Sequence, residues 1–155
     1  MGSVFNLRFD TEGFGNAIDA FVVDSGEAVR PAAQAGAQVF YDEVRARVPV
    51  GLKAHWFHGT QFKVDGTKYR IDAGSLKKSI YQVYSKRLSV EGKRAVYHIA
   101  WNHFEAPYGH MVELGTVRAP AHSFLRSAFE ARQAAISSAV KSSYVAEMKK
   151  GGIAS

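Results

Sequence analysis

The fold is decided by the segment from residue 79 to residue 103, which reads SIYQVYSKRLSVEGKRAVYHIAWNH. Two runs in it, 79–88 and 94–103, are rich in the β-branched and aromatic residues that are typical of strands. Glu91-Gly92 lies between the runs, and an antiparallel hairpin is the simplest connection there. Three apolar residues of the second strand share one face: Tyr97, Ile99 and Trp101.

Helical periodicity flanks this hairpin on both sides. From about Asn16 to Val48, apolar residues recur at steps of three, four or seven, which keep one helix face in line. Pro31 lacks an amide proton, so we predict two nearly collinear helices or one helix kinked near Pro31. Ser123 is predicted to cap a final helix that runs to about Lys149. The apolar stripe of that helix comprises Leu125, Phe129, Ile136, Val140, Tyr144 and Met148.

Two shorter elements complete the pattern. Phe5, Leu7 and Phe9 alternate with polar residues and predict a short strand. That strand can join its own sheet or the sheet of a neighbouring subunit, and its own sheet is favoured because it requires no partner. Residues 108–113 predict a helical turn that is closed by Gly115.

Residues 51–73 predict a loop or a loose hairpin that is interrupted by glycines and carries four large aromatic side chains. Connections of this length in a compact domain are usually functional or disordered, and the aromatic content argues against disorder. We therefore predict that the loop is a docking surface. Its interface candidates are Trp56, Phe57, Phe62, Lys63, Lys68, Tyr69 and Arg70.

These elements predict an α+β protein in which an antiparallel sheet packs against a long amino-terminal helix and a long carboxy-terminal helix. The chain has 155 residues, and 46% of them are hydrophobic, enough for one core. We predict one domain over residues 1–150, with the 51–73 loop as an excursion from it and residues 151–155 as a flexible tail.

The positive charge of the chain is concentrated in its middle. The net charge is +6, and residues 53–94 alone hold ten basic and three acidic side chains, a net +7. A basic segment between nearly neutral ends indicates a surface for an anionic partner, either nucleic acid or an acidic protein. Lysines that keep strand edges soluble are an equally good explanation of the same pattern.

The sequence predicts no catalytic, cofactor-binding or metal-binding residues. The absence of cysteine excludes disulfides, thiol chemistry and cysteine-ligated zinc. His55 and His58 are three residues apart, but their glycine-flanked segment is a poor helix and no third ligand follows. Nucleophile elbows and phosphate-binding loops are missing, and no apolar run is long enough for a membrane span. We expect a soluble protein that is not an enzyme and has no membrane partner.

Two motifs in order resemble a known family. The first is DAGSLKKSI at 72–80, which follows the Pro49-Val50 end of the first helix. The second is YGHMVELGT at 108–116, followed by Pro120 and by FLRSAF at 124–129. Together they resemble the head–tail joining proteins of tailed double-stranded DNA phages, also described as neck, tail-completion or minor tail proteins.

The resemblance covers roughly residues 16–145, with three departures from the family pattern. Ala73 stands where the family has threonine, and Ser127 stands where it has proline. The segment between Val50 and Gly74 is longer than the link of the simplest members. The residues that match the family motifs are Gly74, Leu76, Tyr108, Glu113, Gly115, Thr116, Phe124 and Leu125.

The motif residues have a structural explanation of their own. Gly115 supplies a positive φ, and Glu113 and Thr116 can satisfy exposed amides in the turn. Phe124 and Leu125 begin the buried face of the last helix. We therefore interpret these as residues of the fold, with the function residing in the surfaces.

The resemblance implies a structural virion protein without catalytic activity or a cofactor. It implies a ring of identical subunits, commonly six, between portal-side neck proteins and tail tube proteins in the neck or tail of the virion, assembled in the host cytoplasm. The basic segment would face an acidic neighbouring ring or DNA that passes through the lumen. The alternative from the residues alone is a small basic nucleic-acid-binding protein, and a hydrolase is a more distant one.

Overall fold

The computed structural model describes residues 5–10, 26–58 and 62–150. In chain order the elements are β1 (Phe5–Asp10), α1 (Gly26–Arg47), β2 (His55–Phe57), α2 (Phe62–Asp65), β3 (Tyr69–Ile71), α3 (Ser75–Ser79), β4 (Ile80–Tyr84), β5 (Arg94–Trp101), α4 (Gly109–Leu114) and α5 (Phe124–Lys150). Two antiparallel sheets and two long helices confirm the predicted α+β class. The predicted tail at 151–155 lies outside the described residues.

The larger sheet has the strand order β1-β5-β4, with β5 in the centre. The predicted hairpin is confirmed, since β4 and β5 pair antiparallel with Tyr84 opposite Tyr97. On the other side of β5, the amino-terminal strand β1 pairs antiparallel with Phe5 opposite Ile99. The strand therefore completes its own sheet, which is the alternative that the sequence favoured.

Helix α1 runs without a break through Pro31, so the predicted alternative of two separate helices is wrong. Pro31 lies at the sixth position of the described helix, where its missing N–H costs a single hydrogen bond. The predicted start of this helix near Asn16 lies outside the described residues. The predicted core face of α1 is buried as far as Val48, with Phe40 and Val44 fully excluded from solvent.

Helices α1 and α5 pack against each other over one face of the larger sheet. Phe40 of α1 meets the edge of the Phe129 ring of α5, with ring centroids 5.8 Å apart. At the rim of this interface, Glu43 Oε2 accepts a hydrogen bond of 2.7 Å from Arg132 Nε, and Arg47 contacts the other carboxylate oxygen. The hydrogen bond from Arg132, followed by that from Arg47, lowers the pKa of Glu43.

The predicted apolar stripe of α5 is confirmed, because each of its residues is buried or half-buried. Phe124 and Leu125 begin this stripe in the core, and the Phe124 ring meets Trp101 edge-on at 6.0 Å between centroids. Gly109, the first residue of α4, lies directly against the Trp101 indole and leaves no room for a Cβ atom. The starts of α4 and α5 are thus both fixed on the last residue of β5.

A short helix that the sequence did not predict joins the two sheets. Ser75 of α3 donates two hydrogen bonds to the Asp72 carbonyl oxygen, 3.1 Å from its amide and 2.7 Å from its hydroxyl. Gly74 permits this turn through a φ of +73°. The helix buries Leu76, so the strand that was predicted to begin at Ser79 begins one residue later. That strand also ends at Tyr84, four residues before its predicted end.

Candidate functional site

The predicted docking loop contains a small two-stranded hairpin, formed by β2 and β3. The strands pair antiparallel, with Trp56 opposite Arg70 and Phe57 opposite Tyr69. Since side chains alternate between the two faces of a strand, Trp56 and Arg70 share one face, and Phe57 lies on the other. We call the side with Trp56 and Arg70 the outer face and the opposite side the inner face.

The inner face fixes the hairpin to the rest of the protein. Phe57 and His55 both meet the Tyr108 ring, each with ring centroids 6.1 Å apart. Ile71 is only 2% exposed and belongs to the core. Burial raises the pKa of Tyr108, and a hydrogen bond from the Leu76 backbone partly offsets that rise. The hairpin is therefore held at a defined position beside α4.

The outer face presents an aromatic ring and positive charge to solvent. Trp56 is 60% exposed, although tryptophan is usually well buried. The Arg70 side chain opposite it is 67% exposed, and its Nε contacts the equally exposed Asp72 carboxylate at 3.2 Å. Lys53 and Lys68, which lie close to the two strands in the chain, are also exposed. This combination supplies a large ring surface next to several cations.

The predicted interface residues therefore separate into three groups. Trp56, Lys68 and Arg70 are exposed, and Tyr69 is 40% exposed at the start of β3. Phe57 instead contacts Tyr108 on the inner face. Phe62 and Lys63 belong to helix α2, and the positions of their side chains lie outside the described residues.

Replacing Trp56 or Phe57 by alanine is expected to give different results, because the two rings lie on opposite faces. Trp56→Ala should change the free energy of unfolding by less than about 0.5 kcal/mol, as at other exposed sites. Phe57→Ala should cost about 1–2 kcal/mol, since it removes a half-buried ring from Tyr108. Urea denaturation of both variants measures the difference. Equal losses would contradict the assignment of the two faces.

Glu113 connects the two halves of the second sequence motif. Its carboxylate is buried and accepts hydrogen bonds from the Leu125 amide at 2.9 Å and the Arg126 amide at 3.2 Å. The Ser123 hydroxyl donates a third hydrogen bond of 2.7 Å to the same carboxylate. The prediction that Ser123 caps α5 is therefore wrong, since Glu113 of α4 satisfies the first amides of α5. Glu113 was also wrongly predicted to serve its own turn.

The turn after α4 behaves as its residues predict. Gly115 has a φ of +77°, and its amide donates to the Met111 carbonyl oxygen at 2.8 Å, which ends the helix. The Thr116 hydroxyl accepts hydrogen bonds from the amides of Arg118 and Ala119, at 3.2 and 3.0 Å. The roles predicted for Gly115 and Thr116 are confirmed. Each of these contacts maintains the fold and leaves the outer face of the hairpin as the candidate functional surface.

A metal centre requires several histidine or acidic side chains close together. In residues 5–10, 26–58 and 62–150, no three His, Asp or Glu side chains lie together in a way that could hold a metal ion. His103 stacks on the Phe104 ring with 4.0 Å between centroids, and His55 lies against Tyr108. Across the same residues, none of the helices is long and apolar enough to cross a membrane.

Comparisons of the chain with protein-family models, curated proteins and solved structures find no match.

Proposed function

We propose that this chain is a structural virion protein, the subunit of a ring in the neck or tail end of a tailed double-stranded DNA phage, where it joins the head to the tail. The sequence basis is the ordered pair of motifs at 72–80 and 108–129. Portal-side neck proteins and tail tube proteins are the expected neighbours of the ring. The protein would reside in the virion neck or tail after assembly in the host cytoplasm.

The observation that supports this proposal most is the role of Glu113. The two halves of the second motif, around Glu113 and around Leu125, are separated in the chain, and the Glu113 carboxylate joins them through the Leu125 and Arg126 amides of α5. The two halves of the second motif are therefore one structural unit that orients a 27-residue helix on α4. Residues that orient a long helix, with no catalytic group among them, are what a building block of an assembly requires.

The surface of the protein also suits an assembly subunit. The hairpin keeps its aromatic and basic side chains exposed while its inner face is fixed on Tyr108. Aromatic side chains and arginine are enriched where protein surfaces meet, and they supply much of the binding energy there. On the loops that flank α4, Phe104 and Val117 are further exposed apolar side chains.

Ring formation is the direct test of the proposed function. The purified chain should form a closed ring, because heterologous contacts that close by rotation produce rings, and the family resemblance implies about six copies. Native mass spectrometry gives the copy number, and negative-stain electron microscopy shows whether the particle has a central hole. Retention of the ring by isolated phage tails or heads would place it at the joint. A chain that stays monomeric at high concentration and binds neither particle would overturn the proposal.

A further inference from the structure

The exposure of Trp56 is not explained by the packing of the hairpin. The neighbouring residue Phe57 faces Tyr108, and Ile71 lies in the core, so the inner face anchors the hairpin to the rest of the protein. Trp56 could be replaced by a polar residue without loss of these contacts. A tryptophan that is 60% exposed on a well-anchored hairpin indicates a ligand that packs against the indole ring.

The charge around the ring indicates an anionic ligand. Arg70 lies directly across the hairpin from Trp56, and Lys53 and Lys68 add charge near the two strands. Asp72 offsets part of this charge, but its contact with Arg70 is between side chains that are each 67% exposed. Such a pair contributes little energy in water and leaves Arg70 able to meet a stronger anion.

A second copy of this chain matches the charge of the outer face less well than a polyanion does. Several acidic side chains of the described residues already serve contacts within the subunit: Glu43 bonds two arginines, and Glu147 bonds Lys150. Glu113 is buried, and Asp65 accepts hydrogen bonds from Thr67. A second copy also carries the same net charge of +6, so a polyanion matches the charge of the outer face better than another basic subunit does.

We propose that the outer face of the β2–β3 hairpin binds single-stranded nucleic acid, with Trp56 stacking on an unpaired base and Arg70 contacting the adjacent phosphate. Every base offers a flat π surface, and basic side chains interleaved with aromatic rings hold single strands without sequence preference. Paired bases in a duplex are stacked on one another, so a ring on a protein surface gains little from them. The face belongs to one subunit, so this inference does not depend on ring formation.

Fluorescence anisotropy with labelled oligothymidylate of about 12 nucleotides, which is within the site size of comparable surfaces, tests the proposal on the full chain. Trp56→Ala should weaken binding about tenfold or more, the range that loss of one base stack produces. Arg70→Gln should weaken binding and lower its salt dependence, since one fewer phosphate contact releases fewer counterions. Tyr81→Ala is the matched control, because Tyr81 is an exposed aromatic residue on the other sheet and should leave binding unchanged.

Intrinsic fluorescence gives an independent signal. The chain has two tryptophans, and Trp101 is 5% exposed in the core while Trp56 is in solvent. Stacking should therefore quench the emission of Trp56, and the quenching should disappear in Trp56→Ala. A thermal melt of each variant shows whether it is folded, and native mass spectrometry shows whether it still forms the ring. Loss of oligonucleotide binding with an intact ring would separate this site from the proposed function.

Three further ligands decide between the alternatives. Oligouridylate of the same length shows whether RNA is bound as well as DNA, and binding of either supports the site. A duplex of the same length that binds as tightly as the single strand would overturn the stacking role of Trp56. Polyglutamate that binds equally well, with no effect of Trp56→Ala on either ligand, would show a surface that responds only to charge. Failure of the wild-type chain to bind oligothymidylate at about 50 mM salt would refute the proposal outright.

Discussion

Replacing Glu113 by alanine is expected to lower the free energy of unfolding by about 3 kcal/mol. The change leaves the buried Leu125 amide, the partly buried Arg126 amide and the Ser123 hydroxyl without their acceptor. A buried donor that loses its partner costs about 1–3 kcal/mol. A carboxylate near the amino terminus of a helix also stabilises the helix, because its negative charge interacts favourably with the helix dipole. Urea denaturation measures the loss, which corresponds to a drop in Tm of about 6–12 °C for a chain of this size.

Two control variants separate the role of Glu113 from the loss of a negative charge. Glu130→Ala removes the same charge from an exposed position on α5 and should change stability by less than about 0.5 kcal/mol. Ser123→Ala removes one of the three hydrogen bonds and should cost about 1 kcal/mol. If Glu113→Ala is no more destabilising than Glu130→Ala, the carboxylate does not maintain the start of α5.

The capping role of Glu113 could not be predicted from local sequence. A residue near a helix start is the usual cap, and Ser123 meets every local criterion for that role. The actual acceptor comes from another helix ten residues earlier, so its identity depends on how α4 and α5 meet. One signal was present in the sequence: Glu113 follows Val112 and precedes Leu114, an apolar setting in which a carboxylate requires strong partners.

The elements with a regular period were predicted well from the sequence. The stripe of α5 repeats over enough residues to identify both the helix and its buried face. The β-branched and aromatic run of β5 identifies the strand, but residues on both of its faces are buried, Val96 and Ala100 as well as Tyr97, Ile99 and Trp101. Short elements lack that repetition. Helix α3 has five residues and β2 has three, so tertiary contacts determine them more than sequence pattern does. The sequence predicted a loop or a loose hairpin at 51–73, and the β2–β3 hairpin lies there. The two faces of that hairpin could not be assigned from the sequence, because they depend on the pairing register.

Replacing Gly115 by alanine is expected to cost about 4 kcal/mol, a large share of the stability of an ordinary domain. Its φ of +77° with a ψ of 177° is a backbone conformation that only glycine adopts readily, and the strain alone costs about 1–3 kcal/mol. A Cβ atom at this position would also lie 2.6 Å from the Ala121 amide nitrogen, which is backbone and cannot rotate away. Thermal denaturation should show a drop in Tm of about 8–16 °C.

Two other glycines separate the backbone strain from the steric overlap. Gly66 also has a positive φ, +76°, but nothing lies within 4 Å of an added Cβ, so Gly66→Ala should cost only about 1–2 kcal/mol. Gly51 has open space and no positive φ, so Gly51→Ala should be neutral or slightly stabilising, since alanine restricts the unfolded chain. The expected order of loss is therefore Gly115, then Gly66, then Gly51. Equal losses of stability for Gly115→Ala and Gly66→Ala would mean that the 116–121 turn moves away from α4 at little cost. In that case the end of α4 does not fix the path of the chain into α5.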